Sequence, residues 1–311
     1  MNSSQGPYFL LTAYFTTGIY THVLFLVILC FYLLIMCSNL LLISVICMNR
    51  SLHEPMYVLL CSLFVNELYG STALFPFLLL QILSDVHTVS ASFCFLQIFC
   101  VYTYVCIEFY NLALMSYDRY VAICHPLSYS ARMTCRKAVL LVLLAWLCSF
   151  LIIVLLIMMV APLQLCGNTI NEVFCLNYSI VKLACADTSA NNIYGLFVTF
   201  TTVFIPLLLI CYTYVRILQV CFSGSRPTRQ KAVSTCTPHL ASLINFSFGV
   251  CFEILQSRFD IKGVHSLVQI VLSLYFLTCP PLLSPLMYGL KMSKIRSFCK
   301  RIFSVLNCGS D

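Results

Sequence analysis

Residues 114–124 read LMSYDRYVAIC. An acid, a cation and an aromatic stand in succession there, Asp118, Arg119 and Tyr120, where a long apolar run ends and a polar loop begins. From Ala91 to Tyr117 the sole charged side chain is Glu108; downstream come His125, Pro126, Arg132, Arg136 and Lys137. A charge pair at the end of a membrane helix is costly to dehydrate and must be held by partners. Asp118 can hold Arg119 in one state and a different partner can take it in another, which is the physical requirement for a two-state switch.

The rest of the chain agrees that this is a membrane protein. Of its 311 residues 61% are hydrophobic and 9% charged, with mean hydropathy +0.97. A soluble domain carries about 25% charged residues, so most of this chain must lie in lipid or against other apolar helices. Seven apolar runs, 22–48, 56–82, 91–123, 138–161, 192–220, 232–257 and 265–290, are each long enough to cross a hydrocarbon core that needs about 20 residues. Backbone groups in lipid must pair internally, so these runs are helices. Pro76, Pro206, Pro280, Pro281 and Pro285 fall inside them and are expected to kink them.

Charge sets the topology. Of the 17 Lys and Arg, all but Lys182, Arg258 and Lys262 fall on one side of the proposed spans, and the positive-inside rule makes that side cytosolic. The net charge of +7 therefore reads as topology and contact with lipid headgroups, not as nucleic-acid binding. No Lys or Arg precedes Arg50, which places the N-terminus outside, and the first apolar run is too long for a signal peptide. The reading is an all-α membrane protein of one domain. It has an extracellular tail over 1–21, a seven-transmembrane helix bundle over 22–290 and a cytosolic tail over 291–311. Basic and apolar residues alternate from Lys291 to Phe303, which suits a short amphipathic C-terminal helix on the inner leaflet.

Asn2-Ser3-Ser4 is a glycosylation sequon on the outer side, and Asn177-Tyr178-Ser179 is another; Asn49 and Asn245 match the pattern but lie in cytosol and membrane. Outer cysteines Cys94, Cys166, Cys175 and Cys185 allow three pairings. Most of the other sixteen of the 20 cysteines lie in apolar runs and read as packing residues; Cys299 and Cys308 follow the last run and are palmitoylation candidates.

Intramembrane charge marks function by default. Glu67, Glu108 and Glu253 lie inside apolar runs. Two readings of Glu67 and Glu108 stay open: protonated carboxyls bonded to Asn39, Ser62 or Ser284, or a shared sodium ion. Tyr212 and Tyr288 sit at the depth of Arg119 and are expected to receive it. On the third run, helical spacing groups Tyr102, Val105, Cys106 and Phe109 toward the bundle. With Thr199, Phe248, Phe252, Ile254 and Tyr275 they are the ligand-pocket candidates, forming an apolar pocket with few polar groups that suits a small organic ligand. Arg258, at the outer end of the sixth run, is expected to draw in an anionic ligand or to pair with Asp260 or Glu253. No HExxH, CxxC, P-loop or GxSxG pattern occurs, and the six histidines are scattered; nothing points to an enzyme, a metal centre or a cofactor.

LHEPMYVLLCSLFVNE (52–67), LMSYDRYVAICHPLSY (114–129), KAVSTCTPHL (231–240) and PLLSPLMYGL (281–290) together resemble the signatures of vertebrate odorant receptors, seven-helix receptors of the rhodopsin-like class. LHEPMY with the TPHL ending looks closer to fish-type receptors. The resemblance implies that Asp118, Arg119 and Tyr120 form the switch that engages a G protein, with Tyr212 and Tyr288 receiving the arginine. It implies that Glu67 and Glu108 form the acidic pair of the core, that Cys94 bridges to Cys175 and that Cys166 bridges to Cys185. The implied setting is the plasma membrane, the implied ligand a small organic odorant, and the implied partner a heterotrimeric stimulatory G protein that raises cyclic AMP. Two positions depart from the family pattern. Ser284 precedes Pro285 where asparagine is usual, and Ser247 follows Phe246 where tyrosine is usual; Phe248 is the aromatic that would substitute.

Two other classes fit the sequence less well. A rhodopsin-like receptor for a non-odorant ligand is the nearer one, but residues 94–107 lack the aspartate of an amine receptor and 265–290 lack the lysine of a retinal protein. A transporter or channel predicts repeated halves or lined charges, and the chain has neither.

Overall fold

The computed structural model describes residues 8–14, 20–223, 226–258, 266–292 and 294–298. The Asn2 sequon, Asp260, Lys262, Cys299, Cys308 and the residues beyond Phe298 lie outside the described residues.

Long helices dominate: α1 (Tyr20–Met48), α2 (Pro55–Leu83), α3 (Ala91–Cys124), α5 (Cys135–Val160), α9 (Arg226–Arg258) and α10 (Ser266–Lys291). A short α4 (Tyr129–Arg132) follows α3, and α6 (Asn177–Val181) lies in the longest loop. Between them, α7 (Ser189–Thr199) and α8 (Ile205–Ser223) run on as one rod through a π-helical turn at Phe200–Phe204. Proline explains that turn. Pro206 has no N–H to give its i−4 carbonyl and its ring would crowd it, so the chain widens one turn earlier and Ile205 N–H reaches back to Phe200 O. Helix starts are chemically marked as well. The hydroxyl of Ser90 accepts from Phe93 N–H at 3.3 Å and that of Thr134 from Lys137 N–H at 3.2 Å, each satisfying an otherwise orphaned donor.

Among the described residues six helices are long and apolar enough to cross a membrane, counting Ser189–Ser223 as one; α10 is a further helix of 26 residues. On α5 the stripe Leu140, Leu143, Leu147, Leu151, Leu155 is more than half exposed. Such a stripe on a water-soluble surface would be an aggregation face, whereas against lipid it costs nothing.

α3 packs against α2, α5, α8 and α9 and so runs through the middle of the bundle. At one end the chain adds a feature absent from the sequence reading, a three-stranded sheet in the order β2-β1-β3. β1 (Tyr8–Leu11) pairs antiparallel with β2 (Thr88–Ser90) and parallel with β3 (Thr169–Ile170). Phe9 and Leu11 turn inward while Tyr8 and Leu10 face out. The disulfides Cys94–Cys175 and Cys166–Cys185 lie at this sheet end. Asp118 and Arg119 lie at the other.

Candidate functional site

At the far end of α3 from the sheet, Asp118 is fully buried and both of its oxygens are used. Arg119 Nη2 donates to Oδ2 at 2.8 Å, and the Tyr129 hydroxyl donates to Oδ1 at 2.8 Å. Burial, then the Asp118 carboxylate, push the Tyr129 phenol above its ordinary range, so it remains a donor. The Nε of Arg119 is buried without a hydrogen-bond partner. Tyr120 turns away and shares a proton with His125 Nε2 at 3.1 Å.

Of the two tyrosines expected to receive Arg119, one lies inside the bundle. Tyr288 is 1% exposed and its hydroxyl makes no hydrogen bond. Tyr212 is 58% exposed on the outer face of α8 and only brushes the Tyr120 ring, so its assignment is corrected. Two residues advance a helix by roughly 200°, which carries Tyr214 to the inside. Tyr214 is buried and shares a short 2.6 Å hydrogen bond with His239 Nδ1, while His239 Nε2 donates to the Leu112 carbonyl at 2.9 Å. That chain ties α8, α9 and α3 together beside Arg119.

Halfway along α3 lies the acidic core. Glu67 Oε2 accepts from the Tyr104 hydroxyl at 3.0 Å, with the Ser284 hydroxyl facing the same carboxyl. Glu108 Oε2 accepts from Asn66 Nδ2 at 2.9 Å. The expected partners Asn39 and Ser62 bond elsewhere. Asn39 donates to the Ile35 and Pro281 carbonyls, and Ser62 donates to Asn111 while accepting from Trp146. Glu67 Oε1, Asn66 Oδ1 and Asn39 Oδ1 are buried acceptors without a donor. Of these, Asn66 Oδ1 and Glu67 Oε1 belong to the residues of the acidic core itself, and oxygen ligands of this kind suit a hard cation.

Toward the sheet end the same helix borders a cavity of about 100 Å³ between α3, the α7–α8 rod, α9, α10 and the Leu176–Tyr178 loop. Tyr102, Val105, Cys106, Thr199, Ile254 and Arg258 line it. The other expected pocket residues do not. Phe109 packs edge-on against Phe246 at 5.1 Å in the closed core below. Phe248 is 55% exposed and leans on Tyr275, while Tyr275 gives its hydroxyl to Asn245. Phe252 is half-buried off the cavity wall. Phe248 therefore does not substitute in the core; Phe246, fully buried between Tyr104 and Phe109, fills it. Arg258 does not pair with Glu253 either: its guanidinium lies over the Tyr178 ring, 4.3 Å from the centroid.

Sequence reasoning missed Tyr129, Tyr214, Asn66, Asn177 and Val203, and it flagged Glu253 only as a charge. Asn177, read as a sequon, is 7% exposed and lines the cavity, so its side chain is closed to a glycan. The cysteine pairs match those the resemblance implied, with Cys94 and Cys175 81 positions apart in sequence and Cys166 and Cys185 19 apart. Gln97 Oε1 accepts from Cys175 N–H at 3.2 Å and fixes the loop over the cavity.

A cavity and the Asp118–Arg119 ion pair share one central helix, and comparison with known proteins bears on what they serve. The olfactory receptor family profile matches residues 28–305. Human olfactory receptor 51G2 is 35% identical over 271 residues, 86% of each chain. Human olfactory receptor 10A6 is 33% identical over 275 residues, 88% of this chain and 87% of the relative, and human olfactory receptor 10T2 is 31% identical over 298 residues, 96% and 94%. With the profile spanning nearly the whole chain and relatives above 30% identity covering most of it, this protein belongs to the olfactory receptor family of G protein-coupled receptors.

Proposed function

We propose that this chain binds a small organic odorant in the cavity beside Tyr102, Val105, Cys106, Thr199 and Ile254 and, through Arg119, activates a heterotrimeric stimulatory G protein that raises cyclic AMP. The observation that carries the reading is that α3 supplies both the cavity wall and the Asp118–Arg119 pair. A ligand that shifts or turns α3 acts on the switch without an intermediate element. Its leverage equals its differential affinity for the two states; moving 1:99 to 99:1 takes about 5.5 kcal/mol.

In this reading the chain crosses the plasma membrane seven times, with α10 as the seventh span and the N-terminus outside. The last described residues, 294–298, are helical, with Ile295 buried while Lys294 and Arg296 are exposed. That suits a short amphipathic helix on anionic inner-leaflet lipid. Glu67 and Glu108, helped by Asn66 and Asn39, would hold a sodium ion; sodium-dependent thermal stability that survives Glu67→Gln would remove that role. Arg258 would draw anionic ligands toward the cavity, a role lost if Arg258→Ala leaves carboxylate responses unchanged at equal surface expression.

The direct test is to co-express the chain with the stimulatory G protein and screen volatile and water-soluble odorants. Ligand-evoked cyclic AMP supports the reading. Ion or solute flux without cyclic AMP would replace it with a channel or transporter.

A further inference from the structure

Two oxygens in the cavity wall are buried acceptors without a donor. Glu253, on α9, and Asn177, on α6, are each 7% exposed, and both line the cavity. Neither Glu253 Oε2 nor Asn177 Oδ1 has a hydrogen-bond partner. The rest of the Glu253 carboxyl is engaged. It meets the Ser273 hydroxyl, whose oxygen accepts from Gln256 Nε2 at 3.1 Å. The hydroxyls of the wall do not answer the two oxygens. Those of Thr199, Thr202 and Ser257 donate to the Gly195, Val198 and Ile254 carbonyls of their own helices at 2.9, 2.8 and 3.1 Å.

What these two oxygens lack is a proton, and leaving a buried acceptor unpaired is costly. A neutral ligand with a hydroxyl supplies one, whereas an ether, ester or ketone of the same size does not. This holds in either protonation state of Glu253. If it is a carboxylate, the ligand hydroxyl donates to it. If it is a carboxylic acid, the ligand oxygen accepts from it and keeps its own proton for Asn177 Oδ1. Tyr102 and Arg258 in the same wall also carry donors, but a donor serves any ligand oxygen and does not distinguish an alcohol from an ether. The rest of the wall is apolar, with Val203, Val250 and Phe276. A cavity of about 100 Å³ is smaller than the ~150 Å³ void that takes benzene, so the apolar body it fits is short.

We propose that Glu253 and Asn177 make this cavity select, among neutral ligands, short aliphatic molecules bearing a hydroxyl over acceptor-only molecules of the same size. This rests on the odorant-receptor reading for its biological sense but not for its binding test. Purified full-length receptor in nanodiscs is titrated at neutral pH with 1-butanol and with methyl propyl ether, isomers that differ in whether the oxygen carries a proton. Binding is read by saturation-transfer NMR against empty nanodiscs, and folding by the unfolding temperature. An indifferent apolar cavity would hold the ether more tightly, because a hydroxyl costs more to take out of water. The expected result is the reverse, with butanol bound about ten-fold or more tightly than the ether. Glu253→Met keeps the chain length and removes the acceptor, so the preference should fall at least about three-fold while the ether still binds. Glu253→Gln adds an amide donor that an ether can use, so the ether should gain and the preference narrow there too, which keeps the test alive if Glu253→Met does not fold.

Equal affinity for the two isomers in the wild type, or tighter binding of the ether, would overturn the proposal. So would an undiminished preference in the folded variants. Butanol binding without nucleotide exchange on the G protein would sink the signalling reading and leave this assignment standing.

Discussion

The Tyr129 hydroxyl donates to Oδ1 of Asp118 at 2.8 Å, on the opposite side of the carboxylate from Arg119, which donates to Oδ2 at the same distance. The buried acid is therefore held from two helices, and in the proposed switch Tyr129 joins Asp118 and Arg119. Removing the phenol leaves one carboxylate oxygen without a donor and weakens the state in which Arg119 is parked. A hydrogen bond to a charged group is worth about 1.5–3 kcal/mol. Tyr129→Phe should accordingly raise ligand-independent nucleotide exchange about ten-fold or to the assay ceiling; exchange at the wild-type level would show that Tyr129 does not restrain the switch.

Tyr214 and Tyr212 make a paired test on α8. Tyr214→Phe strips His239 Nδ1 of its buried partner and should cost about 1–3 kcal/mol, read as a fall in unfolding temperature together with weaker agonist-evoked exchange. Tyr212→Phe changes an outward ring and should stay within about 0.5 kcal/mol of wild type. Equal effects would mean that the face assignment is wrong.

The two disulfides close loops of very different length, 81 and 19 residues. Loop-closure entropy predicts that losing Cys94–Cys175 costs about 1 kcal/mol more than losing Cys166–Cys185. Cys94→Ser should abolish surface expression at 37 °C, while Cys166→Ser should leave a measurable fraction; flow cytometry on a tagged chain distinguishes the two.

At Gly249, α9 packs directly on the Phe276 backbone of α10. A Cβ there would lie 2.5 Å from Phe276 Cβ and 3.0 Å from its Cα, and backbone cannot swing aside as a flexible side chain would. Gly249→Ala should destabilise by about 1–3 kcal/mol, seen as a lower unfolding temperature in detergent. An unchanged temperature would mean that the helices separate freely.

These tests divide along what the sequence could disclose. Helix limits were legible because a run of about 20 apolar residues has few alternatives, and six of the expected spans lie within helices long and apolar enough to cross. Which face of a helix points inward was not legible. Lipid and core are both apolar, so the contrast that orients a soluble helix is lost; the sequence thus points to Tyr212 where the inward tyrosine is Tyr214, and to Phe248 where the buried ring is Phe246. Partners across helices, such as Tyr129 for Asp118 or Asn66 for Glu108, have no local signature. The strands β1, β2 and β3 are four, three and two residues long, too short for an alternating pattern to stand out. The cysteines alone left three pairings open, and only the family resemblance selected among them.

Arg119 remains the residue on which the account turns. It is partly buried beside Asp118 with its Nε unused, and the Tyr288 hydroxyl lies within range of its charge. The most direct measurement is agonist-evoked nucleotide exchange on purified G protein by Arg119→Ala receptor, matched to wild type for surface expression and for ligand-induced thermal stabilisation. The account predicts that ligand still stabilises the variant while exchange falls to background. Exchange at wild-type rate and amplitude would contradict it.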